Sequence, residues 1–472
     1  MKTLREFPGP AKQATRIQFH KQALLSLSSL TVGLLTGCAA FDPYYLSGRS
    51  QIKSSFEVQS STVVSDDEFA TRARRKRVVN HVWDTVNRYY YRADLQGVDW
   101  AAARRTWGER AIAAPSEDEF WATLDRMTAT LADAHTRVES PKQAEARRTQ
   151  RVQSLGLGLR EIEGALIATA VNADSDAHFA GLRAGMKITA LDGKPGVVWW
   201  RELIEESRES STQTARRSGA LRRLNEEAAR RPHGIEIEFE RADGSKQAAR
   251  VTVREISTRP QVSSRVLPSG FGYVRLSAFN EVLRADLLAG IERVKDTPGL
   301  VLDLRGNGGG SLAMAEALLA RFFDSKTVLG KTTTRDGTPV NALFGLAKIM
   351  ALERATPGAK NAYRAPLVVL VDAQSASASE AVSSSLQASG RATVIGETTC
   401  GCLLAFMGYV PLEGGGQLAF SQLGFITKTG KIVEREGVKP EVEIVPSASD
   451  LQLNRDRVLE AAEAHLQKLR KS

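Results

Sequence analysis

Leu300-Val301-Leu302-Asp303-Leu304-Arg305-Gly306-Asn307-Gly308-Gly309-Gly310-Ser311 runs from an apolar stretch directly into a glycine-rich loop. The apolar stretch is too short for a helix and reads as a strand buried on both faces. Ser311 can cap the helix that follows, up to Phe323. A second stretch repeats the arrangement. Leu367–Val371 reads as a buried strand, and Asp372-Ala373-Gln374-Ser375-Ala376-Ser377-Ala378-Ser379-Glu380 leads into a helix that ends at Gly390. Strands at Phe271–Leu276 and Thr393–Ile395 and a helix at Val282–Lys295 complete an alternation from Pro260 to Pro446, the pattern of an α/β core. Both loops leave the carboxyl end of a strand, which is where open α/β sheets bind ligands.

The segments before this core read differently. From Ser65 to Arg148 the pattern is helical: Val79, Val82, Trp83, Val86 and Tyr90 recur at three- and four-residue steps. Ser116 with Glu117, Asp118 and Glu119 marks a helix start, and Leu124, Met127 and Leu131 lead to Asp133-Ala134-His135-Thr136. The basic run Arg72 to Arg77 is expected to be a solvated helix face. From Arg151 the pattern turns to strands. Leu155-Gly156-Leu157-Gly158-Leu159, the strand Ala165–Val171, Ala180-Gly181-Leu182-Arg183-Ala184-Gly185 and Ile188–Leu191 resemble a PDZ domain. That resemblance implies that Gly156, Leu157, Gly158 and Leu159 bind substrate, with a peptide adding a strand to the sheet edge. Met186 departs from the Asp that many bacterial PDZ domains carry there. Residues 198–231 form a polar, helical insertion, and a tail helix is expected from Leu451 to Leu469. No period of 20–50 residues repeats, so a solenoid is not expected.

The chain has 472 residues, enough for about three domains at roughly 150 residues each. It is 42% hydrophobic and 25% charged, which excludes a disordered polymer, a collagen-like chain and a multi-span membrane protein. The net charge of +10 is partly an address. Lys2, Arg5, Lys12, Arg16 and Lys21 precede the apolar run Ala23–Leu35, which is too short to span a bilayer and reads as a secretory signal. The run closes with Leu35-Thr36-Gly37-Cys38, which resembles the bacterial lipobox, where cleavage precedes a lipidated cysteine. Removing residues 1–37 takes away five basic side chains and one acidic one, which lowers +10 to +6. A nucleic-acid role is therefore not expected. The absence of Asp after Cys38 points to the outer membrane by that family's rule, with the protein facing the periplasm of a bacterial cell envelope.

Neither loop decides the chemistry alone. The glycine loop lacks the Lys-Ser/Thr of a phosphate-binding loop, and a dinucleotide fingerprint starting at Gly306 would need Gly where Ser311 stands. Its backbone N–H groups can instead serve an oxyanion. The serines of the second loop can cap a helix or present a nucleophile at its N-terminus.

Together the loops resemble the carboxy-terminal processing (tail-specific) serine proteases. Asp303-Leu304-Arg305-Gly306-Asn307-Gly308-Gly309-Gly310 is similar to that family's glycine segment, and Val371 to Glu380 to its nucleophile segment. Arg391 to Thr399, Phe271 to Leu276 and Gly437-Val438-Lys439-Pro440-Glu441 match as well, so the resemblance runs over residues 70–446. It implies an α/β (α+β multidomain) protein: a helical N-terminal domain at 65–150, a PDZ domain at 151–258 and a crotonase-like α/β protease core at 259–450. A signal peptide at 1–37 and a tether at 38–64 precede these, and a C-terminal helix at 451–472 follows. The nucleophile falls on Ser377.

The best-known members take their base from a Lys placed 25 residues later, where this chain has Cys402. Asp133-Ala134-His135-Thr136 instead resembles the Asp-x-His segment of a branch that includes a chlamydial secreted protease, where a His from the N-terminal region serves the Ser; the related tricorn core protease also has a Ser-His-Glu arrangement, with its His elsewhere in the chain. In both the carboxylate precedes Gly-Val-x-Pro, which places it at Glu434, with Glu436 second. His suits the role because it titrates near neutrality, and a carboxylate can orient it. The resemblance places the oxyanion hole at the backbone N–H groups of Ala378 and Gly309, with Gly308 as an alternative to Gly309. Cys400 and Cys402 are expected to pack as small buried side chains. No metal or organic cofactor is implied.

The expected function is a serine endopeptidase that acts on exported polypeptides, on C-terminal or unfolded segments captured by the PDZ domain. A catalytically inactive PDZ adaptor is the alternative, and Cys402 as the nucleophile is a third reading.

Overall fold

The computed structural model describes residues 68–471 apart from 208–211, 242 and 343–346. The expected signal peptide, Cys38 and the tether lie outside the described residues. Among the described residues, no helix is long and apolar enough to cross a membrane.

Val78, Val79, Val82 and Val86 form the buried face of helix α1 (Glu68–Tyr89). Helix α2 (Glu117–Ala129) is capped by Ser116, whose hydroxyl accepts the Glu119 N–H, and buries Phe120, Leu124 and Met127 against α1. The basic run is not simply a solvated face. Arg74 and Arg75 are buried, pair with Glu117 and lie over the Phe120 ring, so the ion pair and the aromatic face offset their desolvation. The chain beyond α2 is not wholly helical either. Strand β1 (Arg137–Glu139) pairs antiparallel with Gln417–Ala419, and Val410, Leu412, Leu418 and Phe420 complete the apolar cluster under α1 and α2.

The middle of the chain forms an antiparallel sheet in the order β2 (Leu157–Ile162), β3 (Ala165–Val171), β4 (Lys187–Leu191), β5 (Ile235–Glu240) and β6 (Lys246–Val251). Alternation in β5 buries Ile235, Ile237 and Phe239 on one face. The expected insertion supplies two helices, α3 (Gly196–Glu206) and α4 (Gln213–Ala229). Trp200, Leu203, Ala220 and Leu224 from these helices are buried with the sheet, so the segment belongs to this core. Strand β2 ends the sheet, and among the described residues its outer edge has no ladder partner.

The last body is built on a six-stranded sheet. Its order is β7 (Val262–Val266), β8 (Gly272–Leu276), β9 (Leu300–Asp303), β10 (Leu367–Val371), β11 (Thr393–Gly396) and β12 (Val442–Glu443). All neighbours are parallel except β7 with β8. Strands β9 and β10 are buried throughout, as their unbroken apolar runs require. Helices α5 (Leu312–Leu319) and α6 (Ala378–Ala388) follow them. The expected tail helix is broken in two: a short turn of helix at Ala448–Gln452 ends at Asn454, whose φ is 51°, and the tail helix α7 (Arg457–Lys471) starts anew after Asp456. Asp456 pairs with Arg305 and caps α7 through the Leu459 N–H. Asp303, with no exposure, accepts from Arg305 and Tyr273, and these bonds hold its carboxyl low against the effect of burial. The glycine loop therefore springs from a rigid, fully paired strand end.

Candidate active site

The two loops are stitched together before either meets a substrate. Asp372 Oδ1 accepts the N–H of Gly306 at 2.9 Å and of Gln374 at 2.9 Å. Ser375 Oγ donates to Leu304 O at 2.9 Å, and Ser379 Oγ donates to Asn307 O at 2.8 Å. Both of these serines are fully buried and structurally engaged. Ser377 lies between them, half-buried, at the start of α6. Its φ of 54° and ψ of −115° lie outside the regions that L-residues favour, at a cost on the order of 1–3 kcal/mol. A non-glycine residue held there by its surroundings is the geometry of a nucleophile on a sharp strand-to-helix turn. A Cβ added at Gly309 would lie 2.6 Å from Ser377 Cβ and 2.8 Å from Ala378 N, so only glycine lets the loop approach this closely.

The Gly309 N–H itself donates to Asn307 Oδ1 at 2.9 Å, so it is not open to an oxyanion in this conformation. Ala378 N is at the first turn of α6, where an amide lacks a helical partner. Gly308 is exposed, with open space around its Cα.

Glu380 is the residue that sequence reasoning left without a role. Fully buried beneath the turn, it accepts from Ser377 N (3.0 Å), Thr399 Oγ1 (2.6 Å), Gly401 N (2.7 Å) and Cys402 N (3.0 Å). Burial pushes its carboxyl up to about 7, against the opposing effect of these donors. A carboxylate three residues after a helix-capping serine was the available signal.

His135 follows α2. Asp133 Oδ1 accepts the His135 N–H at 2.8 Å, the other Asp133 oxygen accepts from Thr136 Oγ1, and Thr136 Oγ1 accepts from Ser421 N at 3.0 Å. The ring lies 6.2 Å from the Phe406 ring. Burial pulls its pKa down to about 4, with Arg137 adding to the effect and Asp133 opposing it, so the imidazole is neutral at pH 7. Glu434 is buried and accepts the Leu403 N–H. Burial, then the charges of Asp133 and Glu380, push its carboxyl up to about 8. Glu434 therefore senses both the His135 turn and the Ser377 turn. Among the described residues no hydrogen bond joins Ser377, His135 and Glu434, and both His135 Nδ1 and Glu434 Oε2 are buried without a partner. Glu436 is exposed.

Cys400 and Cys402 are bonded to each other, contrary to the expectation of separate thiols. Gly401, at φ +69°, makes the bend that brings them together. A bonded Cys402 has no thiolate to offer as a nucleophile.

Gly156 (φ +73°) turns the chain into β2, and Leu157 and Leu159 bury their side chains in the middle core. Gly158 and Leu159 line a cleft of about 1660 Å³, together with Arg160, Arg217, Gly306, Asp372 and Gln374. The cleft thus runs from the β2 edge to the loops of the last body. Arg160 pairs with Glu397 across it at 2.6 Å. A smaller cavity of about 570 Å³ is lined by Tyr91, Leu404 and Glu434. Among the described residues no cluster of His, Cys, Asp and Glu could hold a metal ion.

Residues 270–444 match the model of Peptidase family S41, and residues 72–129 match that of the Tricorn protease C1 domain. Carboxyl-terminal-processing peptidase 1, chloroplastic, of Arabidopsis thaliana is 25% identical over 415 residues, covering 84% of this chain and 77% of that protein. The carboxyl-terminal-processing protease of Synechocystis is 26% identical over 372 residues, covering 76% of this chain and 78% of the relative. Among solved structures, mature CPAF superposes with a TM-score of 0.62 at 15% identity, covering 85% of this chain and 97% of that one, and so shares the fold. The chain is a serine peptidase. Residues 270–444 form a Peptidase family S41 domain, and the chain is similar to carboxyl-terminal processing proteases.

Proposed function

We propose that this peptidase is an exported endopeptidase, lipid-anchored at Cys38 and facing the periplasm from the outer membrane. In this reading Ser377 attacks the substrate carbonyl, His135 takes the Ser377 Oγ proton and returns it to the leaving amine, and Glu434 orients His135. The observation that carries it is the Ser377 turn, half-exposed at positive φ above a parallel sheet, with both neighbouring serines engaged in the scaffold. A neutral His135 can accept a proton at pH 7. Closing His135 Nδ1 onto Glu434 Oε2 would pair two buried, unpaired atoms, and the imidazolium formed by proton transfer would lower the Glu434 carboxyl from its raised value. The developing oxyanion is taken by Ala378 N–H and by an amide of the glycine loop, Gly308 or, once released from Asn307, Gly309.

The middle body acts as a PDZ domain at residues 151–258. Polypeptide substrates, as C-terminal or unfolded segments, add a strand to the β2 edge near Gly156–Leu159, and the cleft leads from there towards Asp372 and Gln374. The domain divisions at 65–150 and 259–450 belong to the same reading.

The competing reading is a PDZ adaptor that binds without cutting. The observation that favours it is the triad left unjoined by hydrogen bonds. A fluorophosphonate probe decides between them. The full chain should label at Ser377 and cleave an unfolded polypeptide, and Ser377→Ala should do neither. An unlabelled, inactive wild type would favour the adaptor, and undiminished cleavage by Ser377→Ala would remove Ser377 from the mechanism.

A further inference from the structure

The Cys400–Cys402 bond spans a sequence separation of two, so it closes almost no chain and contributes little as a staple of the fold. What it constrains is local. Cys400 N–H donates to Ser375 O, Gly401 N–H and Cys402 N–H donate to the two carboxylate oxygens of Glu380, and Cys402 C=O accepts the Ser377 N–H. Gly401 C=O accepts the N–H of Arg435, the residue after Glu434. One tripeptide therefore touches the Ser377 turn, the carboxylate beneath it and the Glu434 segment. With the sulfurs separate, Gly401 loses the cross-link that holds its bend, and the two amides facing Glu380 are no longer fixed in direction. Both sulfurs are buried, and Cys400 is the more exposed at 8% against 3%. Thr212 Oγ1 lies 3.9 Å from Cys400 Sγ and 3.8 Å from Cys402 Sγ, and Thr212 caps α4 of the middle body. The cover over the sulfur pair thus belongs to the body that forms the far wall of the cleft.

We propose that Cys400 and Cys402 form a site of thiol–disulfide exchange whose oxidised state holds the Ser377 turn competent, with a dithiol as the reaction partner. The proposal rests on the reading of Ser377 as nucleophile. A thiolate of the dithiol attacks Cys400 Sγ, the bond between the two sulfurs breaks, and Cys402 Sγ leaves as a thiolate that takes a proton. The second thiol of the partner then displaces Cys400, so the partner becomes a disulfide and the pair becomes two thiols. Exchange requires Thr212 to move aside, which couples the pair to the position of α4.

The test uses the full chain, isolated without reductant, and dithiothreitol as the dithiol. Alkylation under denaturing conditions followed by peptide mass measurement should find Cys400 and Cys402 blocked before dithiothreitol and both alkylated after it. Finding both alkylated beforehand, or both still blocked afterwards, would overturn the proposal. On reduction, fluorophosphonate labelling of Ser377 should slow by about tenfold, the scale of losing a buried hydrogen bond beneath the turn. Amide hydrogen exchange at Ser377, Gly401 and Cys402 should quicken. The Cys400→Ser/Cys402→Ser double variant should be insensitive to dithiothreitol, and a slowing that persists in it would overturn the assignment. If oxidised wild type does not label at all, it is the Ser377 reading that fails. Hydrogen exchange then still judges the redox site, and unchanged exchange after confirmed reduction would refute it.

Discussion

Replacing Glu434 by glutamine should stabilise the protein in alkaline solution while impairing it as an enzyme. The folded chain holds the Glu434 proton up to about 8, whereas an unfolded chain releases it near the ordinary 4.5. Between those values unfolding releases a proton, so wild-type stability falls as pH rises. Each pH unit across which the two states differ by a whole proton is worth about 1.4 kcal/mol, which gives a ceiling of roughly 5 kcal/mol by pH 8.5. Glutamine keeps an oxygen for the Leu403 N–H and places a neutral amide in the field of Asp133 and Glu380, so this loss disappears. His135 works in the opposite direction, adding wild-type stability as pH rises from about 4 to 6.5. Glu380, pushed up to about 7, removes stability between 4.5 and 7. Both remain in the variant, so the difference between the two proteins isolates Glu434. Urea unfolding at pH 5 and pH 8.5 is the assay. The variant should exceed wild type by less than about 1 kcal/mol at pH 5 and by a few kcal/mol at pH 8.5. A variant less stable than wild type at pH 8.5 would refute the argument and mean that the carboxylate is paired in the folded protein.

Other expectations concern the same neighbourhood. Gly309→Ala should cost about 2–5 kcal/mol in urea unfolding and silence probe labelling, because its Cβ would meet Ser377 Cβ at 2.6 Å and its φ is +96°. Gly308→Ala, with nothing within 4 Å, should leave stability unchanged, and equal destabilisation of the two would contradict the packing described. Arg160→Ala leaves Glu397 buried beside the cleft without its cation and should cost about 2 kcal/mol, with substrate capture more affected than turnover. A lowered kcat with unchanged KM would argue against a capture role. The acid limb of Ser377 labelling should fall near the lowered His135 value of about 4, below the ordinary 6.5. A limb at 6.5 would show that His135 is not held neutral by burial.

Much of the fold was legible in the sequence because it is written in local periodicity. The runs 300–304 and 367–371 could be little else than buried strands, and they are β9 and β10. The helical face of Val79, Val82 and Val86 was equally plain. Strand β1 was not legible: its partner, Gln417–Ala419, is remote in sequence, and three residues carry no period. The tail helix expected from Leu451 is interrupted at 453–456: Asp456 caps the second piece, a local signal passed over in the sequence, and its ion pair with Arg305 fixes that cap against the last body.

The candidate site divides in the same way. Family resemblance, carried by the motifs around them, pointed to Ser377, His135 and Glu434; residue types and spacing alone left Ser377 open to a capping role and His135 to a surface one. Only the tertiary structure decided which serines are engaged in the scaffold and that Glu380 holds the turn from beneath. It also decided that Gly309's amide is occupied, that the two late cysteines are joined, and that His135 and Glu434 each keep one buried atom unpaired. Those properties depend on desolvation and on contacts between segments far apart in the chain, and both arise only when the chain has closed on itself.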